Sequence, residues 1–212
     1  RPSPRSSGSC RPPAAELSAA ARRLLDAAAQ ETLAGLRDAL SACRDGDLDR
    51  PHPQHGGTCL HVAAALAGPD DAAGLVAELC ARGCDVNARA NNDSTPLHWA
   101  AGAGNAAAVA ELLRRGADPA LTTRTWGSNV FGKGSGQTPA HWAAESGHEA
   151  CVGALLGCSA LAPFAADERG NRPADLAAAE SHEGVAQLLE AAAQIEMVCV
   201  AMSLEARLHK AV

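Results

Sequence analysis

One short stretch occurs three times in this chain and constrains its fold more than any other feature. The stretch Thr-Pro-Leu-His-Trp-Ala-Ala at 95–101 has near-copies at 58–64 and 138–144, and their histidines lie 37 and 43 residues apart. Each copy is followed by Val and Leu spaced to share one face of a helix. Recurrence of such a unit predicts a chain of stacked supersecondary units rather than one thick globular core.

Each copy is expected to form two short helices. Thr95 can cap the first helix through its hydroxyl, and Pro96 fits the first turn, where its missing N–H is harmless. Gly104 and Gly116 are expected to end the two helices, because glycine tolerates the left-handed cap geometry. The second helix presents its apolar residues on one face, at Val109, Leu112 and Leu113. Such a pair cannot bury its faces alone and must stack on another pair.

The segment STPLHWAAGAGNAAAVAELLRRGADPA, from Ser94, resembles an ankyrin repeat, whose signature is a Thr-Pro-Leu-His helix start at a period of about 33. The resemblance covers residues 22–192. It implies an all-α ankyrin-repeat solenoid of about five helix-turn-helix repeats joined by hairpin loops. We expect repeats near 22–52, 53–89, 90–132, 133–166 and 167–192, the first and last degenerate.

Three departures from the family pattern are informative. The interval of 37 residues exceeds a period of about 33 by four, and we place these residues between the two helices, in LAGPDD at 66–71. The interval of 43 residues exceeds a period of about 33 by ten. We place these ten residues in the segment 122–137, where they replace the hairpin loop between repeats. The last copy has Arg172 for Thr and Asp175 for His, which suits a terminal repeat with a polar outer face.

The resemblance also bears on single polar residues. It implies that His61, His98 and His141 are structural, each ring bonding backbone or hydroxyl groups where one repeat meets the next. Asn87 lies where ankyrin asparagines resemble targets of an asparaginyl hydroxylase, although we favour an asparagine that bonds its own turn. We therefore expect no metal site and no cofactor.

Other motifs do not support chemistry. The stretch GSNVFGKG, Gly127 to Gly134, nearly matches a phosphate-binding loop, but Gly134 replaces the hydroxyl residue that would hold magnesium. The chain has no Gly-x-Ser-x-Gly elbow, so a catalytic triad is not supported and we expect no enzyme activity. A net charge of −6 with scattered basic residues argues against nucleic acid, and no apolar run approaches the length of a membrane span.

The remaining segments and the cysteines bear on context. Residues 1–21 are expected to be a disordered or leader-like segment, either a flexible linker or the remnant of an organelle transit peptide. Because the chain begins with Arg rather than Met, we expect a fragment or a processed form. Residues 193–212 suit an amphipathic helix that either caps the stack or leads into a further region. The eight cysteines lack metal-binding spacing, and we interpret them as buried thiols of an intracellular, cytoplasmic protein, with organelle import as the alternative.

The function that follows from the resemblance is binding of an unidentified protein partner, as an adaptor or scaffold. The alternative is the targeting or regulatory segment of a larger enzyme such as a kinase, ubiquitin ligase or acyltransferase. We expect no nucleic acid, membrane insertion or small-molecule substrate. The family's contacts come from the hairpin tips and first helices, and Trp126 and Phe131 are added as aromatic residues of the insertion. The expected partner-binding residues are Gln54, His55, Asn91, Asn92, Ser94, Trp126, Phe131, Ser135, Gln137, Glu145, Ser146, Glu168, Arg169 and Asn171.

Overall fold

The computed structural model describes residues 48–52, 56–65, 69–124, 134–157 and 164–195, and these residues form an all-α repeat solenoid. Four pairs of antiparallel short helices follow one another. The helices are α1 (Cys59–Ala65), α2 (Pro69–Ala81), α3 (Pro96–Gly102), α4 (Ala106–Arg114), α5 (Pro139–Glu145), α6 (Glu149–Leu156), α7 (Pro173–Ala179) and α8 (183–195).

The helix ends lie where the sequence predicted them. Thr95 occupies the N-cap of α3 with extended backbone and forms a capping box with His98, and Pro96 takes the first helical position. Gly104 follows the end of α3 with φ of +76°, and Gly116 follows the end of α4 with φ of +89°. These left-handed conformations reverse the chain after each helix at no steric cost to glycine.

Successive pairs stack like on like: each first helix packs on the next first helix, α4 packs on α2, and α6 packs on α4. The core is thin because buried alanines let the first helices approach closely. The buried alanine pairs are Ala63 and Ala64, Ala100 and Ala101, and Ala143 and Ala144. Leu60, Leu97, Val109 and Leu112 fill the space between the two helix layers, which explains how a chain with few aromatic residues forms a continuous core.

The end of the expected first repeat bonds the repeat after it in the same way as the end of the second repeat does. Asp49 Oδ1 accepts a hydrogen bond of 3.1 Å from the Asp85 N–H, just as Asn87 Oδ1 accepts one of 2.9 Å from the Asp118 N–H one repeat later. The Cys59 thiol donates to the Leu48 carbonyl at 2.8 Å. Residues 48–52 thus join the stack as the end of a repeat. The other residues of that expected repeat, 22–47, lie outside the described residues.

The placement of the four extra residues in the loop 66–71 is wrong. α1 and α2 are separated by 66–68, just as α3 and α4 are separated by 103–105, but α2 has 13 residues where α4 has 9. The extra residues therefore lengthen α2 by about one turn. A Pro-Asp-Asp start suits the first turn of a helix, since Pro needs no N–H partner there and acidic residues complement the helix dipole.

The ten extra residues of the longer interval lie in a hairpin tip, as predicted. The Ala90 N–H donates to the Ser94 carbonyl across three intervening residues, whereas the equivalent bond from Thr123 to Gln137 closes over thirteen. The insertion is therefore an enlarged tip whose base keeps the geometry of an ordinary repeat. Its residues 125–133 lie outside the described part of the structure.

Candidate interaction surface

Four hairpin tips line one edge of the stack, and they share one backbone turn. In each tip the first residue donates its N–H to the carbonyl of the last, at 2.8 Å for His52 and Gly57 and 2.9 Å for Ala90 and Ser94. The residue before the last has positive φ in all four tips. These residues are Gly56, Asp93, Gly136 and Gly170.

Neighbouring tips are joined by backbone hydrogen bonds. The Arg124 N–H donates to the Asn92 carbonyl at 2.9 Å, and the Glu168 N–H donates to the Ser135 carbonyl at 3.2 Å. Gly56 lies against the Asn91 backbone so closely that a Cβ added to it would come within 2.7 Å of the Asn91 nitrogen. The tips therefore form one continuous edge that presents side chains at fixed intervals.

The signature histidines support this edge from below, which confirms their predicted structural role. Each ring lies fully buried at the start of a first helix, and its Nε2 donates to the last carbonyl of the next tip. The bonds run from His61 to Ser94 at 3.1 Å, from His98 to Gln137 at 3.0 Å and from His141 to Asn171 at 3.0 Å. We call this series the histidine ladder.

The partners of these rings determine their protonation state. A carbonyl only accepts, so Nε2 carries the hydrogen, whereas Nδ1 faces the backbone N–H of Thr95 at 3.1 Å in the case of His98 and must accept. A second ring proton would point at that N–H. Burial lowers the pKa of His98 to about 3, and burial also lowers the pKa of His141. The ladder is built from neutral imidazoles.

The last repeat ends the ladder with a carboxylate. Asp175 Oδ2 accepts from the Arg172 backbone N–H at 2.8 Å, and the Arg172 guanidinium bonds both carboxylate oxygens. Hydrogen bonds from Arg172 hold the pKa of Asp175 below its ordinary value. A carboxylate has no hydrogen to donate onward, and both side chains are exposed, as a polar terminal repeat requires.

Two tryptophans, which the sequence reasoning did not assign, couple each repeat to the preceding histidine. The rings of His61 and Trp99 meet edge to face with centroids 5.2 Å apart, and those of His98 and Trp142 do so at 5.5 Å. The Trp99 indole N–H also donates to Ser94 Oγ at 2.9 Å. Both tryptophans directly follow a signature histidine, which was the available signal in the sequence.

Two asparagines and one further histidine also join repeats. The expectation that the Asn87 side chain bonds its own turn is wrong. Asn87 Oδ1 accepts from the Asp118 N–H and Nδ2 donates to the Gly116 carbonyl, and both partners lie in the next repeat. At the opposite edge, Asn105 Nδ2 donates to the Ala64 carbonyl at 3.3 Å, and His148 Nε2 donates to the Gly102 carbonyl at 3.2 Å. Each of these side chains ties one repeat to its neighbour.

Thr123 closes the base of the insertion. Its hydroxyl donates to the Gly134 carbonyl at 3.1 Å and accepts from the Gln137 N–H at 3.2 Å. Its backbone also bonds Gly136 and Gln137 in the tip pattern. Thr123 and Gln137 are buried, so the two ends of the insertion are held together inside the protein.

The predicted partner-binding residues fall into three groups. Glu168 and Arg169 are exposed at the last tip, and Asn91, Asn92, Asn171, Glu145 and Ser146 are half-buried along the edge. Ser94, Ser135 and Gln137 are buried beneath it and support the tips. Four others lie outside the described residues: Gln54, His55, Trp126 and Phe131.

A charge network at the second tip was not predicted. Asp93 has φ of +58° where the other tips have glycine, and its carboxylate lies 3.2 Å from Arg124 Nε and 3.7 Å from Arg89. Aspartate tolerates this conformation better than most residues. The network places two arginines beside the base of the insertion.

The described ranges hold neither a metal-binding cluster nor a candidate membrane span. No group of three His, Cys, Asp or Glu side chains there is placed to hold a metal ion. Likewise, none of the helices within those ranges is long and apolar enough to cross a membrane.

These features define the structural class of the protein, which is an all-α solenoid of stacked helix pairs whose hairpin tips form a continuous edge. A family model described as ankyrin repeats (3 copies) matches residues 19–123 and 126–198. The chain therefore belongs to the ankyrin-repeat family. Ankyrin repeats are generally protein-protein interaction modules and are typically non-catalytic.

Proposed function

We propose that this chain is a non-enzymatic adaptor or scaffold that binds a partner protein through its hairpin tips and the adjoining ends of its first helices. The observation that carries the proposal is the contrast between the constant support and the variable edge. The turn and its histidine bond recur from tip to tip. The side chains displayed on that support differ, from Asn91 in one tip to Glu168 and Arg169 in another. A rigid scaffold with varied loop residues is a common arrangement for recognition.

The experiment compares capture by matched variants of the whole chain. Glu168→Ala with Arg169→Ala removes an exposed pair of opposite charges from a tip. Glu183→Ala with Arg114→Ala removes a pair of the same types from exposed positions on second helices. We expect the tip variant to lose a partner that the parent and the second-helix variant both retain, at equal melting temperature. Equal capture by all three proteins would refute the proposal.

The insertion is proposed as the part of the edge that selects the partner. Its base is closed by Thr123, so the thirteen residues between Thr123 and Gln137 are offered on a fixed support. They include Trp126 and Phe131, and aromatic residues are frequent binding hot spots. Replacing both by Ala should abolish capture and leave the melting temperature unchanged. A fall in melting temperature, or capture that persists, would show that they only anchor the loop.

A reducing, intracellular setting is part of the same proposal. Cys80 and Cys151 are free thiols, and the Cys59 thiol donates to the Leu48 carbonyl. Burial raises the pKa of Cys151 to about 11, which keeps it as an unreactive thiol. Fractionation of cells that express the tagged protein would test this placement, and recovery with secreted proteins would contradict it.

A further inference from the structure

Two arginines share one carboxylate on the edge of hairpin tips. Arg89 directly precedes the second tip, Arg124 belongs to the third, and Asp93 of the second tip pairs with both. A single oxygen, Asp93 Oδ2, lies 3.7 Å from Arg89 Nη1 and 3.2 Å from Arg124 Nε. The Arg124 side chain is 80% exposed and the Arg89 side chain 43% exposed, so a protein that lies along the edge can reach both. We call these three residues the tip arginine cluster.

A second arginine pair in the protein shows how a carboxylate can occupy two guanidiniums fully. At the end of α4, Arg114 and Arg115 share Glu111 through three hydrogen bonds of 2.6–2.8 Å, and Arg114 bonds both carboxylate oxygens. Hydrogen bonds from Arg114, and then from Arg115, hold the pKa of Glu111 at about 2. In the tip arginine cluster the carboxylate makes two longer contacts instead, through one oxygen. Its guanidiniums therefore keep donors for a further acceptor.

The tip arginine cluster has an excess of positive charge. Two guanidiniums and one carboxylate give a local charge of +1, in a chain whose net charge is −6. Among the described residues, Asp93 is the carboxylate that pairs with Arg89 and Arg124. The internal segments outside the described ranges contain no Asp or Glu in their sequences, at 53–55, 66–68, 125–133 and 158–163. A partner protein can supply the negative charge that is missing here.

The aspartate of the cluster is not needed for its turn. Asp93 has φ of +58°, and the same position is glycine in the other three tips, at Gly56, Gly136 and Gly170. Glycine adopts this conformation more easily than any residue with a side chain. Backbone bonds already fix the place, from the Asp93 N–H to the Ala90 carbonyl at 3.1 Å and from the Arg124 N–H to the Asn92 carbonyl at 2.9 Å. The carboxylate is therefore explained by the arginines, which it holds side by side at a fixed point of the edge.

We propose that the tip arginine cluster binds an acidic segment of the partner protein, with one Asp or Glu carboxylate received by Arg124 and Arg89. This inference rests on the proposed function and names the chemistry of the partner. Guanidinium groups bind carboxylates through two parallel hydrogen bonds. Arg124 turns its Nε toward Asp93, so its two Nη atoms form the fork for the partner. A local charge of +1 balances one carboxylate, whereas a phosphate dianion would exceed that charge and be repelled by Asp93.

The test is the binding of a fluorescein-labelled octaglutamate peptide to the whole chain, measured by fluorescence anisotropy at low ionic strength. We expect saturable binding by the parent, although both molecules are negative. Arg89→Gln with Arg124→Gln should weaken binding about tenfold or more, because charge-assisted hydrogen bonds are lost. Arg114→Gln with Arg115→Gln changes the net charge equally at the end of α4 and should bind as the parent does. A parent that does not bind, or equal weakening by both double variants, overturns the proposal.

Two further comparisons test the geometry and the ligand. Arg89→Lys with Arg124→Lys keeps the charges and removes the forks, so it should bind less tightly than the parent. Binding equal to the parent overturns the forked contact. An octaphosphoserine peptide that binds the parent more tightly than octaglutamate overturns the choice of a carboxylate. If octaglutamate does not bind while Glu168→Ala with Arg169→Ala still loses its partner, this inference fails and the proposed function stands.

Discussion

Single residues in this protein hold neighbouring repeats together by donating on one side and accepting on the other. His98 donates to the Gln137 carbonyl of the following repeat and accepts from the Thr95 N–H of its own. Both partners are buried. Loss of the ring leaves the buried Thr95 N–H without an acceptor and leaves the Gln137 carbonyl with only its bond from the Thr123 N–H.

His98→Ala should therefore lower the free energy of unfolding by about 1–3 kcal/mol, the usual effect of unpairing buried polar groups. His148→Ala is the matched control. His148 is half-buried and bonds one carbonyl, so its loss should lower the free energy of unfolding by less, about 0.5–1 kcal/mol. Urea denaturation measures both. Equal stability of His98→Ala and the parent, or stoichiometric zinc in the parent that this variant loses, would contradict the structural role.

The neutral state of the ladder predicts a pH dependence. In the unfolded chain a histidine binds a proton below pH about 6.5, whereas in the folded protein the pKa of His98 is lowered to about 3. Between these values the unfolded state binds more protons, so stability is fully present above pH about 6.5 and falls as the pH drops. Each such histidine contributes a slope of up to about 1.4 kcal/mol per pH unit.

Denaturation at pH 7.5, 6 and 5 checks this dependence. The free energy of unfolding of His98→Gln should fall less steeply with decreasing pH than that of the parent, by up to the slope that one bound proton contributes. A slope that is identical in both proteins would show that His98 is already protonated in the fold.

Among the elements, the enlarged tip depends most on one side chain. Thr123 holds both ends of the insertion through its hydroxyl, and it is buried, whereas its neighbour Thr122 is exposed. Thr123→Val keeps the shape and removes the hydroxyl. It should lower the free energy of unfolding by about 1–3 kcal/mol, because the buried Gln137 N–H loses its acceptor. Thr122→Val should have no measurable effect. Equal melting temperatures for the two variants would show that the base of the loop is held in another way.

The elements also show where sequence reasoning succeeds and fails. The helix pairs were predictable because Thr-Pro starts and glycine ends are local signals whose physical effect does not depend on the rest of the fold. The greater length of α2 was not predictable from the sequence, because Pro-Asp-Asp at 69–71 suits a loop as well as a first helical turn. The edge followed from aligning repeats, but the burial of Ser94 and Gln137 beneath it arises from packing between repeats. The contact of Trp99 with His61 also needs a structure, since the residues are 38 positions apart.

The whole molecule is a one-dimensional stack in which each repeat is stabilised by its neighbours. α7 packs on α5, so removal of residues 167–212 uncovers the face of α5 on which α7 lies. We expect the truncated protein to aggregate or to unfold in part. Removal of residues 1–15, which the sequence predicts to be disordered, is the control and should leave solubility unchanged. A chain without 167–212 that unfolds as cooperatively as the parent would show that this region is not the terminal repeat.

The central claim is that the edge of hairpin tips binds the partner while the second helices do not. Hydrogen exchange of the chain, measured by mass spectrometry with and without a captured partner, tests it most directly. The account predicts slower exchange of backbone amides on partner binding at residues 90–94, 134–137 and 167–171, with no change at 106–114 and 149–156. Slower exchange confined to those second helices, with the tips unaffected, would contradict it.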